Sequence, residues 1–188
     1  FDGAGGEQFG QSVVTTADKI IVGSRADDDN GSASGSVYVY DANNLSAQPT
    51  KLTAFDGAAN DLFGNLVATS DKIIVGAWGD DSFTGSVYVY DANDLSAQPT
   101  KLTAFDGAAD DRFGYSVAAT ADQIIVGAYR DESSTGSVYV YDTNDLSAQP
   151  TKLTAFDGAA NDHFALSVAA TANKIIVGAF ADDDSGSS

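Results

Sequence analysis

Residues 72–91 read Lys-Ile-Ile-Val-Gly-Ala-Trp-Gly-Asp-Asp-Ser-Phe-Thr-Gly-Ser-Val-Tyr-Val-Tyr-Asp. Two runs of β-branched and aromatic residues, Lys72 to Ala77 and Ser86 to Asp91, flank an acidic, glycine-containing loop from Gly79 to Thr84. Runs of this kind, bounded by Gly and Asp, predict strands. Successive side chains of a strand point to opposite faces. Val87 and Val89 therefore share one side, and Tyr88 and Tyr90 the other. Both sides are apolar, which predicts a sheet covered on two faces.

Outward from this pair, a first strand is expected from Phe63 to Thr69, followed by a polar turn at Ser70-Asp71. A loop holding Asn93 and Pro99 leads to a fourth strand, Thr100 to Phe105. Pro99 stands at the strand entrance, where a missing N–H does least harm. The whole unit recurs. Phe-Asp-Gly-Ala begins at Phe1, Phe55, Phe105 and Phe156, at intervals of 54, 50 and 51 residues. Gly-Ser-Val-Tyr-Val-Tyr-Asp begins at Gly35, Gly85 and Gly136, and Leu-Ser-Ala-Gln-Pro at Leu45, Leu95 and Leu146. No segment carries a sustained helical period.

Four short strands in about 50 residues is the arithmetic of a propeller blade. The expected fold is all-β: β-propeller blades of four antiparallel strands, about three and a half of them in 188 residues. The approximate units are 1–54, 55–104, 105–155 and 156–188, the last incomplete, with fourteen strands in all. A parallel β-helix is the rival, but its rungs are shorter and need no pair of long loops. Such an array is an open arc or part of a larger or assembled propeller. Open blade faces and edges invite association, so further repeats of the same chain, or other copies of it, are expected partners.

Composition narrows the function. The net charge is -18, from 27 acidic and 9 basic residues. Phosphate backbones would be repelled, so nucleic acid is not an expected partner. No apolar run approaches a membrane span of ~20 residues, so membrane insertion is not expected either. There is no Cys, which excludes disulfides and thiolate chemistry. The sequence opens on Phe1 without a visible signal peptide, so any export signal is expected to lie upstream or to have been removed.

The motifs Phe63-Gly64, Ile73-Ile74-Val75-Gly76-Ala77 and Gly85-Ser86-Val87-Tyr88-Val89-Tyr90 resemble the FG-GAP repeat of integrin α-subunit propellers, and more closely its bacterial variety. Phe9-Gly10 and Phe113-Gly114 match too, whereas the fourth unit has Phe164-Ala165. The Gly-Ala element is Gly76-Ala77, Gly127-Ala128 and Gly178-Ala179, with Gly23-Ser24 in the first unit. The resemblance implies a seven-bladed propeller, an extracellular or cell-surface setting, and adhesion or ligand binding. It also implies Ca²⁺ in an Asp-rich loop between the first and second strands. That loop is missing here: the turns are Thr16-Ala17-Asp18, Ser70-Asp71, Thr120-Ala121-Asp122 and Thr171-Ala172-Asn173.

Carboxylates gather elsewhere. The loop after the second strand carries Asp27, Asp28 and Asp29, then Asp80 and Asp81, Asp131 and Glu132, and Asp182, Asp183 and Asp184. The loop between units carries Asp56 and Asp61, Asp106 and Asp111, and Asp157 and Asp162. In an up-and-down blade both loop types emerge on one face. Ca²⁺ takes six to eight oxygens of this kind, so these are the candidate metal ligands. The alternative is a solvated acidic face whose Asp and Asn side chains make local turn bonds.

The residue after Gly-Ala varies while its surroundings hardly change: Arg25, Trp78, Tyr129, Phe180. These are candidate ligand contacts, by stacking on sugar rings or anchoring a partner; packing between blades is the plainer reading. His163 is the only histidine and replaces Gln8, Leu62 and Arg112 of the other units, so it reads as a surface variant. No nucleophile elbow, Walker loop or dinucleotide fingerprint occurs. The carboxylates recur in every unit, whereas an active site needs a unique constellation, so no catalytic residue is assigned. The expected function is a non-catalytic extracellular adhesion or scaffold module, contacting a protein or glycan surface multivalently, with Ca²⁺ as its candidate stabilising cofactor. The alternative is a lectin-like carbohydrate-binding propeller.

Overall fold

The computed structural model describes residues 6–65, 67–69 and 71–183, with backbone only at 67 and 68. Among the described residues, fourteen strands form four antiparallel sheets, each a simple meander. The first holds β1 (Phe9–Thr15), β2 (Lys19–Ser24), β3 (Ser36–Asp41) and β4 (Thr50–Leu52). The second holds β5 (Val67–Thr69), β6 (Lys72–Ala77), β7 (Ser86–Asp91) and β8 (Thr100–Leu102). The third holds β9 (Ser116–Ala119), β10 (Gln123–Ala128), β11 (Ser137–Asp142) and β12 (Thr151–Thr154), and the fourth only β13 (Phe164–Thr171) and β14 (Lys174–Ala179). The chain is thus an open, propeller-like arc of blades.

Alternation across the strands builds the core between blades. Tyr88 and Tyr90 pack with Ile73 and Val75 against Val37, Val39 and Leu52 of the preceding sheet. Val87, Val89 and Ile74, on the opposite side, pack against Tyr139, Tyr141, Ile124 and Val126 of the next. The first and second sheets, and the second and third, meet through one rule, a tyrosine face on a valine face, whereas the third meets the fourth through Ile125 and Val138 on Ala165, Val168 and Val177. Leu95 and Leu146, from the loops before β8 and β12, join these clusters.

Two predicted strands are shorter than the sequence suggests. β5 starts at Val67 rather than Phe63, and β8 ends at Leu102 rather than Phe105. In the second and third blades Phe-Gly is a junction that precedes the strand, whereas β1 and β13 open on Phe9 and Phe164. The Phe63 N–H donates to the Ser34 carbonyl of the preceding blade at 3.0 Å, forming a parallel bridge with Gly35. Phe113 and Phe164 repeat this with Thr84 and Thr135, at 2.9 Å each. The approach is so close that a Cβ on Gly85, at φ +90°, would fall on the Phe113 carbonyl.

The expected acidic loop at Gly79 to Thr84 is also more ordered than a plain loop. It contains a helical turn, α1 (Asp80–Phe83), matched by α2 (Asp131–Ser134). Both turns carry left-handed backbone at three successive non-glycine residues: Asp81, Ser82 and Phe83, and Glu132, Ser133 and Ser134. Phe1, Ser70 and Asp184, named above from the sequence, lie outside the described residues.

Candidate functional site

The two acidic loop types are hydrogen-bonded to each other. Asp110, Arg112 and Phe113 of the linker donate backbone N–H groups to Ser82, Phe83 and Thr84 of the preceding blade. The Arg130 N–H in turn donates to the Asp111 carbonyl within the third blade. Linker and turn therefore share one face, and a lysine organises their carboxylates.

This arrangement follows from strand register. Tyr88 stands opposite Lys101 in the β7–β8 ladder, Tyr38 opposite Lys51, and Tyr139 opposite Lys152. Each lysine stem runs beside its tyrosine ring, with Nζ 5.2 to 5.5 Å from the ring centroid. Both polar heads consequently reach the same acidic loops.

Lys101 Nζ lies 2.7 Å from Asp56 and 2.6 Å from Asp80. The Tyr88 hydroxyl donates to Asp56 at 2.6 Å and reaches Asp80 at 3.5 Å. Lys152 Nζ lies 2.7 Å from Asp106, 2.7 Å from Asp131 and 3.1 Å from Glu132. The Tyr139 hydroxyl donates to Asp106 at 2.7 Å and Asp131 at 3.1 Å. In the first blade Lys51 holds Asp27 at 2.9 Å and Asp29 at 2.6 Å, while Ser36 and Tyr38 donate to Asp27.

The electrostatics follow from this geometry. Burial opposes ionisation of Asp56 and Asp106, but the lysine and tyrosine hydrogen bonds outweigh it, and both carboxyls lie below the ordinary aspartate value. Asp27 is held low by the same balance, with Lys51 and Ser36 opposing burial. Burial works against the charge of Lys101 and Lys152 too, yet the carboxylates raise both. Asp61 and Asp111 go the other way. Burial raises them more than the Ala58 and Ala108 N–H bonds lower them, and Asp80 and Asp131 add repulsion.

The candidate metal ligands thus fall into three kinds. Asp27, Asp29, Asp56, Asp80, Asp106, Asp131 and Glu132 surround lysine nitrogens. Asp61, Asp111 and Asp162 are buried and accept the N–H groups of Ala58, Ala108 and Ala159 at 2.6 Å each. Asp28, Asp81, Asp157, Asp182 and Asp183 are exposed. Among the described residues, no three His, Asp or Glu side chains form a group suited to a metal ion. The inner carboxylates converge on lysine instead.

The four variable positions do not make one surface. Trp78 packs on Phe83 and Tyr115 at 5.6 Å each, with the Arg112 guanidinium 4.9 Å from its ring centroid. Tyr129 is buried between Tyr115, at 4.6 Å, and His163, at 5.4 Å. Phe180 is 77% exposed. Arg25 donates to the side-chain oxygens of Gln8 and Asn65. Reading the sequence alone misses Lys51, Lys101 and Lys152, although Thr-Lys-Leu-Thr recurs in the first three units, and takes the tyrosines for core alone.

A protein-family model for the FG-GAP repeat matches residues 1–40, 47–90, 97–141 and 148–188. The chain belongs to the FG-GAP repeat family. Each complete FG-GAP window runs from the last strand of one sheet into the first three of the next, so the repeat is offset by one strand from the sheet. FG-GAP repeats are in general non-catalytic protein-interaction modules, usually of extracellular proteins. No curated protein matches this FG-GAP chain significantly in sequence. Among the described residues, no helix is long and apolar enough to cross a membrane.

Proposed function

We propose that this chain is a non-catalytic module of an extracellular or cell-surface protein, which binds partner proteins through its repeated acidic face. The observation that carries this reading is the recurrence of a lysine and a tyrosine on the turn carboxylates in three successive blades, joined in the second and third by a carboxylate of the linker. Bracing lowers the entropy lost on binding. Repetition lets contacts that are individually weak reach high avidity. The exposed carboxylates of the turns and linkers, Asp28, Asp81 and Asp157 among them, suit a partner with a basic surface. Calcium has a narrow place in this reading, as a weak ligand of outer carboxylates such as Asp28.

A second contact lies at the ends of the arc, where residues that close internal junctions stand uncovered. Leu45, equivalent to the packed Leu95 and Leu146, is 65% exposed, and Phe156 is 98% exposed where Phe55 and Phe105 lie against Tyr88 and Tyr139. Ile176 is 58% exposed on the open face of the last sheet. These ends suit the matching face of a further repeat or of a second copy.

The test is adhesion of beads coated with the chain to a surface displaying basic protein. Asp28→Lys, Asp81→Lys and Asp157→Lys are compared singly and together. Multivalent binding predicts modest single effects and a more than additive loss in the triple variant. Equal adhesion by the triple variant contradicts the proposal.

A further inference from the structure

Among the described residues, Arg25, Arg112 and Arg130 have no carboxylate within ion-pair distance, in a chain with 27 acidic side chains. Arg25 is the informative one. Gln8 and Asn65 accept from its Nε and Nη1, the latter at 3.0 Å. Both partners are neutral amides, which fix the guanidinium plane without neutralising its charge. The nearest acidic residue in the following loop, Asp27, is already engaged by Lys51, Ser36 and Tyr38.

Arg25 lines a pocket of about 310 Å³ where the first strands of the sheets converge. Gln11, Asn65, Tyr115, Leu166 and Ser167 are also in its wall. The Tyr115 ring is held edge-on by Trp78 and Tyr129, at 5.6 and 4.6 Å. Neither of those two rings is in the wall, so the aromatic side chain the pocket presents is Tyr115. The pocket therefore combines a fixed, unneutralised guanidinium, an immobilised aromatic ring, and amide and hydroxyl groups. Guanidinium geometry suits a carboxylate, an aromatic ring suits the apolar side of a sugar, and the amides and hydroxyl suit sugar hydroxyl groups. The volume lies at the small end for ligand pockets and has room for one sugar ring.

We infer that this pocket binds a carboxylate-bearing sugar, a uronate, with the carboxylate on Arg25 and the sugar ring against Tyr115. The net charge of -18 opposes approach of any anion, but its long-range part is screened beyond ~8 Å at physiological salt. The contact with Arg25 acts inside that distance. Binding here is independent of the acidic face and of the ends of the arc.

The test titrates sodium glucuronate into the full chain at physiological ionic strength, by calorimetry and by amide chemical shifts. Glucose and N-acetylglutamate serve as the neutral sugar and the non-sugar carboxylate. Saturable glucuronate binding is expected, at least about tenfold tighter than either control. Arg25→Gln is expected to weaken it about tenfold or more, and Tyr115→Ala several-fold. Gln11 is exposed, so Gln11→Glu offers a second variant that should leave the fold intact. It adds a carboxylate to the wall and is expected to abolish binding. The proposal is overturned if wild type does not bind glucuronate, if N-acetylglutamate binds as tightly, or if binding survives unchanged in Gln11→Glu or a folded Arg25→Gln. Neither variant should change the mass measured by light scattering.

Discussion

Tyr139 and Lys152 stand directly opposite one another in the β11–β12 ladder, and both end on the same carboxylates, Asp106 and Asp131. Asp106 belongs to the linker that enters the blade, and Asp131 to the turn that follows its second strand. One cross-strand pair therefore fastens two loops and fixes where the blade begins.

Removing the ammonium should loosen this fastening. Lys152→Met leaves Asp131, whose side chain is 7% exposed, without its counter-charge. Breaking a buried pair is costly, but Asp106 is 35% exposed and water screens part of the loss. The expected destabilisation is about 1–3 kcal/mol in guanidinium unfolding. Lys174→Met, at an exposed lysine, should stay within about 0.5 kcal/mol.

The same pairs predict acid sensitivity. Asp27, Asp56 and Asp106 have folded values below their unfolded ones. Their stabilisation is complete above the unfolded value of about 3.9 and is lost as pH falls through the depressed folded values. Asp61 and Asp111 are raised, so their contribution has the opposite sign: it is present below the unfolded value and disappears as pH rises through the folded one. Urea midpoints should accordingly be lower at pH 3 than at pH 6, with a smaller difference in Lys152→Met. A midpoint unchanged or higher at pH 3 would contradict the lysine pairs as the main source of the pH dependence.

Equivalent serines should respond differently. The Ser36 hydroxyl donates to Asp27 at 2.8 Å, whereas the Ser86 hydroxyl is buried without a partner. Ser36→Ala is expected to cost about 1 kcal/mol, and Ser86→Ala to be neutral or stabilising by up to about 1 kcal/mol. Thermal unfolding of the two variants decides it.

Backbone conformation gives another opposed pair. Gly85→Ala places a Cβ on the Phe113 carbonyl at φ +90° and should destabilise by more than about 2 kcal/mol. Ser82 is exposed and left-handed at φ 63°. Ser82→Gly should stabilise by about 1 kcal/mol, since glycine adopts that conformation without penalty.

Much of the fold was legible because one signal repeats. Alternation in Ser86–Asp91 gave the two-sided packing, and the intervals gave the four-strand unit. The role of Phe63-Gly64 was not legible, because its hydrogen bonds go to the preceding blade and no local pattern reports them. The left-handed turn at Asp81 to Phe83 was hidden for a related reason: Ser82 and Phe83 have no preference for that backbone, and the bonds their carbonyls accept come from the neighbouring linker. At the site, the gathering of carboxylates could be read from sequence. That lysines hold them could not, because Tyr139 and Lys152 meet only once the β11–β12 register is known.

That the loops of the second and third blades are each held by the blade's own lysine is tested most directly by thermal unfolding of wild type and Lys152→Met, each in CaCl₂ and in EDTA. The wild-type midpoint should move by less than about 2 °C between the two buffers, and Lys152→Met should melt lower than wild type in EDTA. A wild-type midpoint several degrees higher in calcium, with Lys152→Met melting like wild type, would show instead that a divalent cation holds these loops.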